Sequence, residues 1–179
     1  MNKGKFMLTS FSLHTGLFPH NHDDCQQHVL DTAARLCQQR QSRLTPLREQ
    51  VLRLICQSHK PLGAYDLLEQ LQQLEGHRVA PPTIYRALEF LLEQGFIHRI
   101  SSLNAFIACF HAEQSHYAYF LICRACGNAV EFASDSFAKE LQEVTAQAQF
   151  NLTESTVELF GYCPNCQVKT EIKHDSINV

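Results

Sequence analysis

Eight cysteines and ten histidines hold most of the chemistry this chain can offer, and four of the cysteines are spaced for a metal. Cys123-Arg124-Ala125-Cys126 is answered by Cys163-Pro164-Asn165-Cys166, with 36 residues between the pairs. Each pair ends a run that reads as a β-strand. A C-x-x-C turn aims two thiolates at one point, and two such turns complete a tetrahedral S4 cage with Zn–S bonds of about 2.3 Å. The competing chemistry is a redox dithiol or a disulfide. A thioredoxin-like site uses one C-x-x-C to open a helix in a βαβ setting, whereas Gly127 and an apolar strand follow here. The spacing therefore predicts a structural zinc held by Cys123, Cys126, Cys163 and Cys166.

A second set of donors depends on strand register. Two short strands, Phe96–Ile100 and Ala105–Phe110, flank the turn residues Ser101–Asn104. If that turn is centred on Leu103-Asn104, paired residue numbers sum to 207 and His98 faces Cys109. Directly opposed Cβ atoms lie about 5 Å apart, so an imidazole and a thiolate could share an ion. His116 stands at the mouth of the following connection. Glu131, five residues past Cys126, falls roughly opposite residues 116–118, with Val130 and Phe132 turned the other way. His98, Cys109, His116 and Glu131 would make an N2SO tetrahedron that suits Zn2+, the soft thiolate arguing against Mg2+, Ca2+ or Mn2+. The residues alone leave open the plainer alternative of a buried cysteine, two surface histidines and a solvated glutamate. His111 is a substitute donor. Nearer the start, His20, His22, Asp23 and Asp24 could hold a metal loosely, but a solvated tail is the simpler reading.

These donors need elements to position them. Val29, Ala33, Leu36 and Cys37 recur at helical spacing between Cys25 and Gln41. Thr45-Pro46 supplies an N-cap and a first-turn proline for a helix burying Val51, Leu52, Leu54 and Ile55. A third helix, Ala64 to Leu74, shows Leu67, Leu68 and Leu71 on one face. Pro81-Pro82 opens a fourth with the stripe Ile84, Ala87, Leu88, Leu91 and Leu92, and Gly95 ends it. Helices followed by a hairpin are the order of a winged helix-turn-helix, whose last helix enters the major groove. That helix leaves Thr83, Tyr85, Arg86 and Glu89 outward. Arg86 could donate twice to guanine, and Tyr85 or Tyr65 could meet thymine methyls or phosphates. Beyond residues 111–117, Ala118–Ile122 and Asn128–Ala133 form a hairpin around the first knuckle. A helix from Asp135 to Ala148 turns Phe137, Leu141 and Val144 inward, and a strand over Thr156–Tyr162 delivers the second knuckle.

The expected class is α+β: a winged helix-turn-helix domain, residues 24–110, then a hinge, 111–117, and a small α/β zinc domain, 118–174. Irregular tails complete it at 1–23 and 175–179. No apolar run approaches the 18 or so residues of a membrane span, and polar residues break up any signal-peptide core near Phe6–Phe18. A cytoplasmic location is expected, where cysteines serve as metal ligands or buried thiols more often than disulfides. Net charge is −3. Residues 24–110 carry nine Lys/Arg against eight Asp/Glu, while residues 111–179 carry four against nine. The N-terminal half is thus the better partner for a polyanion. No enzymatic activity is expected: a zinc hydrolase would need an open coordination position, and the four proposed ligands fill a tetrahedron.

The residues also carry a resemblance. Arg43-Leu44-Thr45-Pro46-Leu47-Arg48, Ala64-Tyr65-Asp66-Leu67-Leu68, Pro81 to Leu88, Phe90 to His98 and the two C-x-x-C pairs together resemble the ferric uptake regulator family, from about Asp31 to Cys166. Within it, the chain is most similar to the zinc-sensing branch. The resemblance implies a homodimeric repressor that binds double-stranded operator DNA and uses neither membrane nor small-molecule substrate. It implies two Zn2+ per protomer, a structural ion on the four paired cysteines and a regulatory ion on His98, Cys109, His116 and Glu131. It places DNA reading on Tyr65 and Arg86 and the repressed genes in zinc uptake. An iron, manganese or peroxide sensor of the same family is the alternative. The iron-sensing branch carries a His-rich run before the first C-x-x-C, where this chain has only His116 and no aspartate.

Overall fold

The computed structural model describes residues 12–13, 21–113, 116–153 and 155–167. A two-residue strand, β1 (Ser12–Leu13), precedes α1 (His22–Gln39) and α2 (Pro46–Ile55). β2 (Leu62–Gly63), α3 (Ala64–Glu75) and α4 (Pro81–Glu93) follow, then β3 (Ile97–Ile100) and β4 (Ala105–Ala108). The remainder is β5 (Tyr119–Cys123), β6 (Ala129–Ala133), α5 (Asp135–Gln147), β7 (Val157–Gly161) and the single turn α6 (Pro164–Gln167).

Local chemistry explains most boundaries. Asn21 caps α1 by accepting from the Asp23 N–H, and Asp23 and Asp24 sit in its first turn, where the helix dipole favours acids. Residues 21–23 are therefore ordered at the helix start, and Ser12–Leu13 pair with β6, whereas an irregular tail was expected over 1–23. Thr45 caps α2 with Pro46 in the first turn. Asp66 accepts from the Gly63 N–H at 3.3 Å to open α3. Gly95 follows α4 at φ 71°, a left-handed value that side-chain-bearing residues avoid.

α1 to α4 enclose the main core, with Val51, Leu52, Leu67, Leu71, Ile84, Leu88 and Leu91 almost wholly removed from solvent. Phe90 is buried too, though the helical stripe did not include it. The Arg48 guanidinium lies 3.6 Å over its ring and covers it from outside. Leu68 and Leu92 remain half-buried at the edge of this core.

β2, β4 and β3 form one antiparallel sheet in that order. Its register corrects the sequence expectation. His98 pairs with Ile107, not Cys109, because a 3₁₀ turn at Ser101–Leu103, closed by Asn104 in the left-handed region, centres the hairpin earlier. The shift is two residues, and since side chains alternate with period two, His98 and Cys109 keep the same face as diagonal neighbours.

The second sheet runs β1-β6-β5-β7. β7 lies parallel to β5, reached through β6 and α5, so the two C-x-x-C turns leave adjacent strands at the same end. Glu131 is opposite Phe120 rather than residues 116–118. Val144 is 64% exposed, and α5 buries no residue fully. Its inward contact is chiefly Phe137, edge-on to Tyr119 at 4.8 Å. Ile100 and Ile107 of the wing pack with Phe120, Ile122 and Ala129 in a small second core, so the wing rests directly on this sheet.

Candidate metal centres and nucleic-acid face

The four paired cysteines converge with sulfurs all within 4.8 Å of one another. Cys126 Sγ and Cys163 Sγ are 3.8 Å apart. A disulfide needs about 2.05 Å, whereas two sulfurs at tetrahedral corners about 2.3 Å from a zinc are separated by about 3.8 Å. The donor set therefore fits that ion. The turns are built locally. Gly127 N–H donates to Cys123 O and Cys166 N–H to Cys163 O, each at 2.9 Å, and Arg124 N–H crosses to Gly161 O at 2.8 Å. The Cys163 N–H donates to Cys123 Sγ at 3.3 Å. Burial works against a Cys123 thiolate, but hydrogen bonds from the backbone of Cys163, Cys126 and Ala125 prevail and lower its pKa to about 6. The Cys166 thiol is pushed up to about 12, first by its hydrogen bond with Cys163.

His98, Cys109, His116 and Glu131 also meet, again within 4.8 Å. β3 supplies His98, the residue after β4 supplies Cys109, the connection supplies His116 and β6 supplies Glu131. Glu131 Oε1 lies 3.2 Å from His98 Nε2 and 2.5 Å from His116 Nε2. Cys109 Sγ is 3.7 Å from His116 Nε2. Tetrahedral edges around zinc are about 3.3 Å between N and O donors and about 3.6 Å between S and N. Two of the three distances match, and the third is the shorter His116–Glu131 hydrogen bond.

The electrostatics are those of a buried charged knot. Glu131 is 2% exposed. Burial alone would raise its carboxyl, but His116 and His98 hold it well below the usual carboxylate range. Burial would lower His98, yet hydrogen bonds to Cys109 and Glu131 raise it to about 9. Burial likewise opposes the Cys109 thiolate, and His116 and His98 reverse that and lower its pKa. The Phe110 N–H adds a contact to Glu131 Oε2 at 3.4 Å. His111, the substitute donor, places its ring 5.7 Å from that of His116 and its N–H 3.4 Å from Cys109 Sγ. It flanks the four without joining them.

The α3–α4 surface carries the outward residues. Tyr65 is 77% and Tyr85 48% exposed, and both line one cleft with Glu89, Arg99 and Asn104. Thr83 and Arg86 line a shallow hollow on the other flank of α4, beside Thr45 and Arg48 of the α2 start. Tyr85 and Arg86 are exposed and Thr83 is half-buried, so the positions spread over two flanks of α4 rather than one narrow stripe.

Sequence reasoning missed Glu158 of β7, which accepts from Ser101 N–H at 2.7 Å and Ser102 N–H at 3.3 Å. It fastens the wing tip to the second sheet. Glu113, ion-paired with Arg35 of α1, was missed as well. Neither belongs to a motif: the packing of sheet on wing discloses Glu158, and the approach of the connection to α1 discloses Glu113.

The profile of the ferric uptake regulator family matches residues 39–160. The zinc uptake regulation protein of Escherichia coli is 37% identical over 149 residues, 83% of this chain and 86% of that protein. Among solved structures, a zinc uptake regulator complexed with zinc and DNA superposes with a TM-score of 0.75 at 38% identity, covering 82% of this chain and 97% of the other. Holo XcZur superposes at 0.71 with 39% identity, covering 78% and 96%.

Proposed function

Because this chain belongs to the ferric uptake regulator family, we propose that it is a zinc-responsive repressor binding operator DNA as a homodimer and governing zinc-uptake genes. The observation that carries this reading is the convergence of His98, Cys109, His116 and Glu131 from both sheets and the connection between them. The relatives' association with zinc and DNA supports it. Zinc, when bound there, would supply a coordinate bridge between the wing and the second sheet, in addition to their apolar contact and the Glu158 hydrogen bonds.

The domain division follows: a DNA-binding unit over 24–110, a hinge over 111–117 and a dimerisation unit over 118–174. Each side chain's part can then be derived. His98 and Cys109 are fixed to the wing, and Glu131 is fixed to β6, so holding all three at one point fixes the wing's orientation. Two winged helices in a dimer must match two half-sites at once, and orientation sets that match. Coupling of 1–3 kcal/mol, about 5–150-fold, is typical, and operator DNA must tighten zinc by the same factor. Cys123, Cys126, Cys163 and Cys166 instead hold β5 to β7. Leu159 and Phe160 of β7, with Tyr162 beyond it, remain substantially exposed on a strand whose one sheet neighbour among the described residues is β5, which supports a partner copy at that edge. A cytoplasmic location fits operator binding, and no described helix is long and apolar enough to cross a membrane.

Zinc per protomer in the purified dimer, before and after a mild chelator wash, tests the reading. A fall from about two ions to about one is expected, the four-thiolate site retaining its ion. One ion throughout would refute a zinc-specific hinge, and Fe2+ and Mn2+ titrations would then identify the effector. On the DNA side, Arg86→Ala should cost about 1–3 kcal/mol at one base pair of the operator while leaving affinity for random DNA nearly unchanged. Equal losses on both DNAs would make Arg86 a phosphate contact.

A further inference from the structure

One cluster of metal-binding side chains lies outside both sites. His22 opens α1, Cys25 follows three residues later on the same helix face, and His59 sits in the turn between α2 and β2. Their ring nitrogens and sulfur all lie within 4.8 Å of one another. The rings of His22 and His59 meet edge-on, 4.8 Å apart at 63°, and Phe110 stands 6.2 Å from His59 on its other side. All three donors are half-buried. The acids that the sequence grouped with His22 turn elsewhere: Asp23 and Asp24 are exposed, and Asp24 accepts from the Asn21 side chain at 2.8 Å.

We propose that His22, Cys25 and His59 form a third metal site, taking a late first-row transition-metal ion for which Zn2+ is the probe. Two imidazoles and a thiolate favour such borderline ions and disfavour Mg2+ and Ca2+. Three protein donors leave a fourth position to water, so this site binds more weakly and exchanges faster than a four-donor cage.

Its place in the fold gives it a mechanical role. The His59 carbonyl accepts from the Ala129 N–H at 2.9 Å, at the first residue of β6. Gln26, beside Cys25, donates to Arg53 O of α2 at 3.1 Å. A metal on His22 and Cys25 would therefore tie the start of α1 to a turn already fastened to the second sheet.

Equilibrium dialysis of the full-length dimer against zinc, with protein-bound metal counted by mass spectrometry, tests the site. Cys25→Ser and His59→Gln should each hold one zinc fewer per chain than the unaltered protein at saturation. Exposed His28, on α1 but outside the cluster, provides the control His28→Gln, which should hold the full number. Circular dichroism and dimer mass should be unchanged in all three. Equal zinc in the unaltered protein and both site variants overturns the proposal, as does a shortfall shared by the His28→Gln control. The one-zinc difference does not depend on the repressor reading, whose failure would appear in hinge variants and in DNA binding.

Discussion

Cys123→Ser is expected to abolish the stable dimer. Cys123 ends the central strand β5, is buried, and receives the Cys163 N–H on its sulfur. Serine at this position offers a hard, protonated oxygen where the cage needs a thiolate. The loss is large because, beyond Tyr119, Val130 and Phe132 buried on its other face, the second sheet has few other supports. α5 buries no residue fully, and the small core beneath the sheet is five side chains shared with the wing. Structural zinc contributes about 10–16 kcal/mol of apparent binding free energy in small metal-folded units, and in such units that energy is folding energy. Losing one of four ligands removes a share of that energy large enough to matter against the usual 5–15 kcal/mol of a domain's stability. Light scattering, zinc content and far-ultraviolet circular dichroism report the outcome together. A Cys123→Ser protein that stays folded, dimeric and fully zinc-loaded would show that the cysteines are not a structural site.

Glu131→Gln should leave the fold and the four-cysteine ion in place and remove the response to zinc. The substitution keeps the shape and removes the charge on which both His98 and His116 converge. A neutral amide is a poor ligand, so saturating zinc should change operator affinity less than about fivefold, against about 5–150-fold for the unaltered protein. The carboxylate is buried, and removing one member of a buried charged group can cost several kcal/mol. Cys109→Ser therefore accompanies it, since it spares the His–Glu contacts and removes the sulfur. Both variants should hold one zinc fewer per chain while the dimer persists. If either keeps full zinc-dependent operator binding, its donor is not part of the sensor. The contrast with Cys123→Ser is the informative part: on the proposed reading, loss of one site should unfold the protein and loss of the other should silence its answer to zinc.

How much could be read in advance varied with the range of the interaction. Thr45, Pro46 and Gly95 marked their helix ends because a cap closes within three or four residues. The C-x-x-C pairs marked their cage because each turn is closed by its own backbone hydrogen bonds. The wing register failed by two residues, since the turn type at Ser101–Asn104 is set by a left-handed Asn104 that its neighbours do not announce. The site survived that error because a shift of two keeps a side chain on its face. Val144 was misplaced for a different reason. An apolar helical stripe indicates that something covers it, without saying whether the cover is the same chain or another.

The sequence by itself determined the two C-x-x-C pairs and the candidate His98, Cys109, His116, Glu131 donor set, the caps at Thr45 and Gly95, which family the chain resembles and that a wing follows α4. Those features depend on residue type and on contacts a few positions apart. Only the tertiary structure decided which donors meet. Glu131 reaches His98 because the wing packs through Ile100 and Ile107 onto Phe120 and Ile122. His59 reaches His22 and Cys25 because α1 lies against the α2–β2 turn. Such meetings close long loops of chain, and burial of apolar surface, far from the donors in sequence, stabilises the closure.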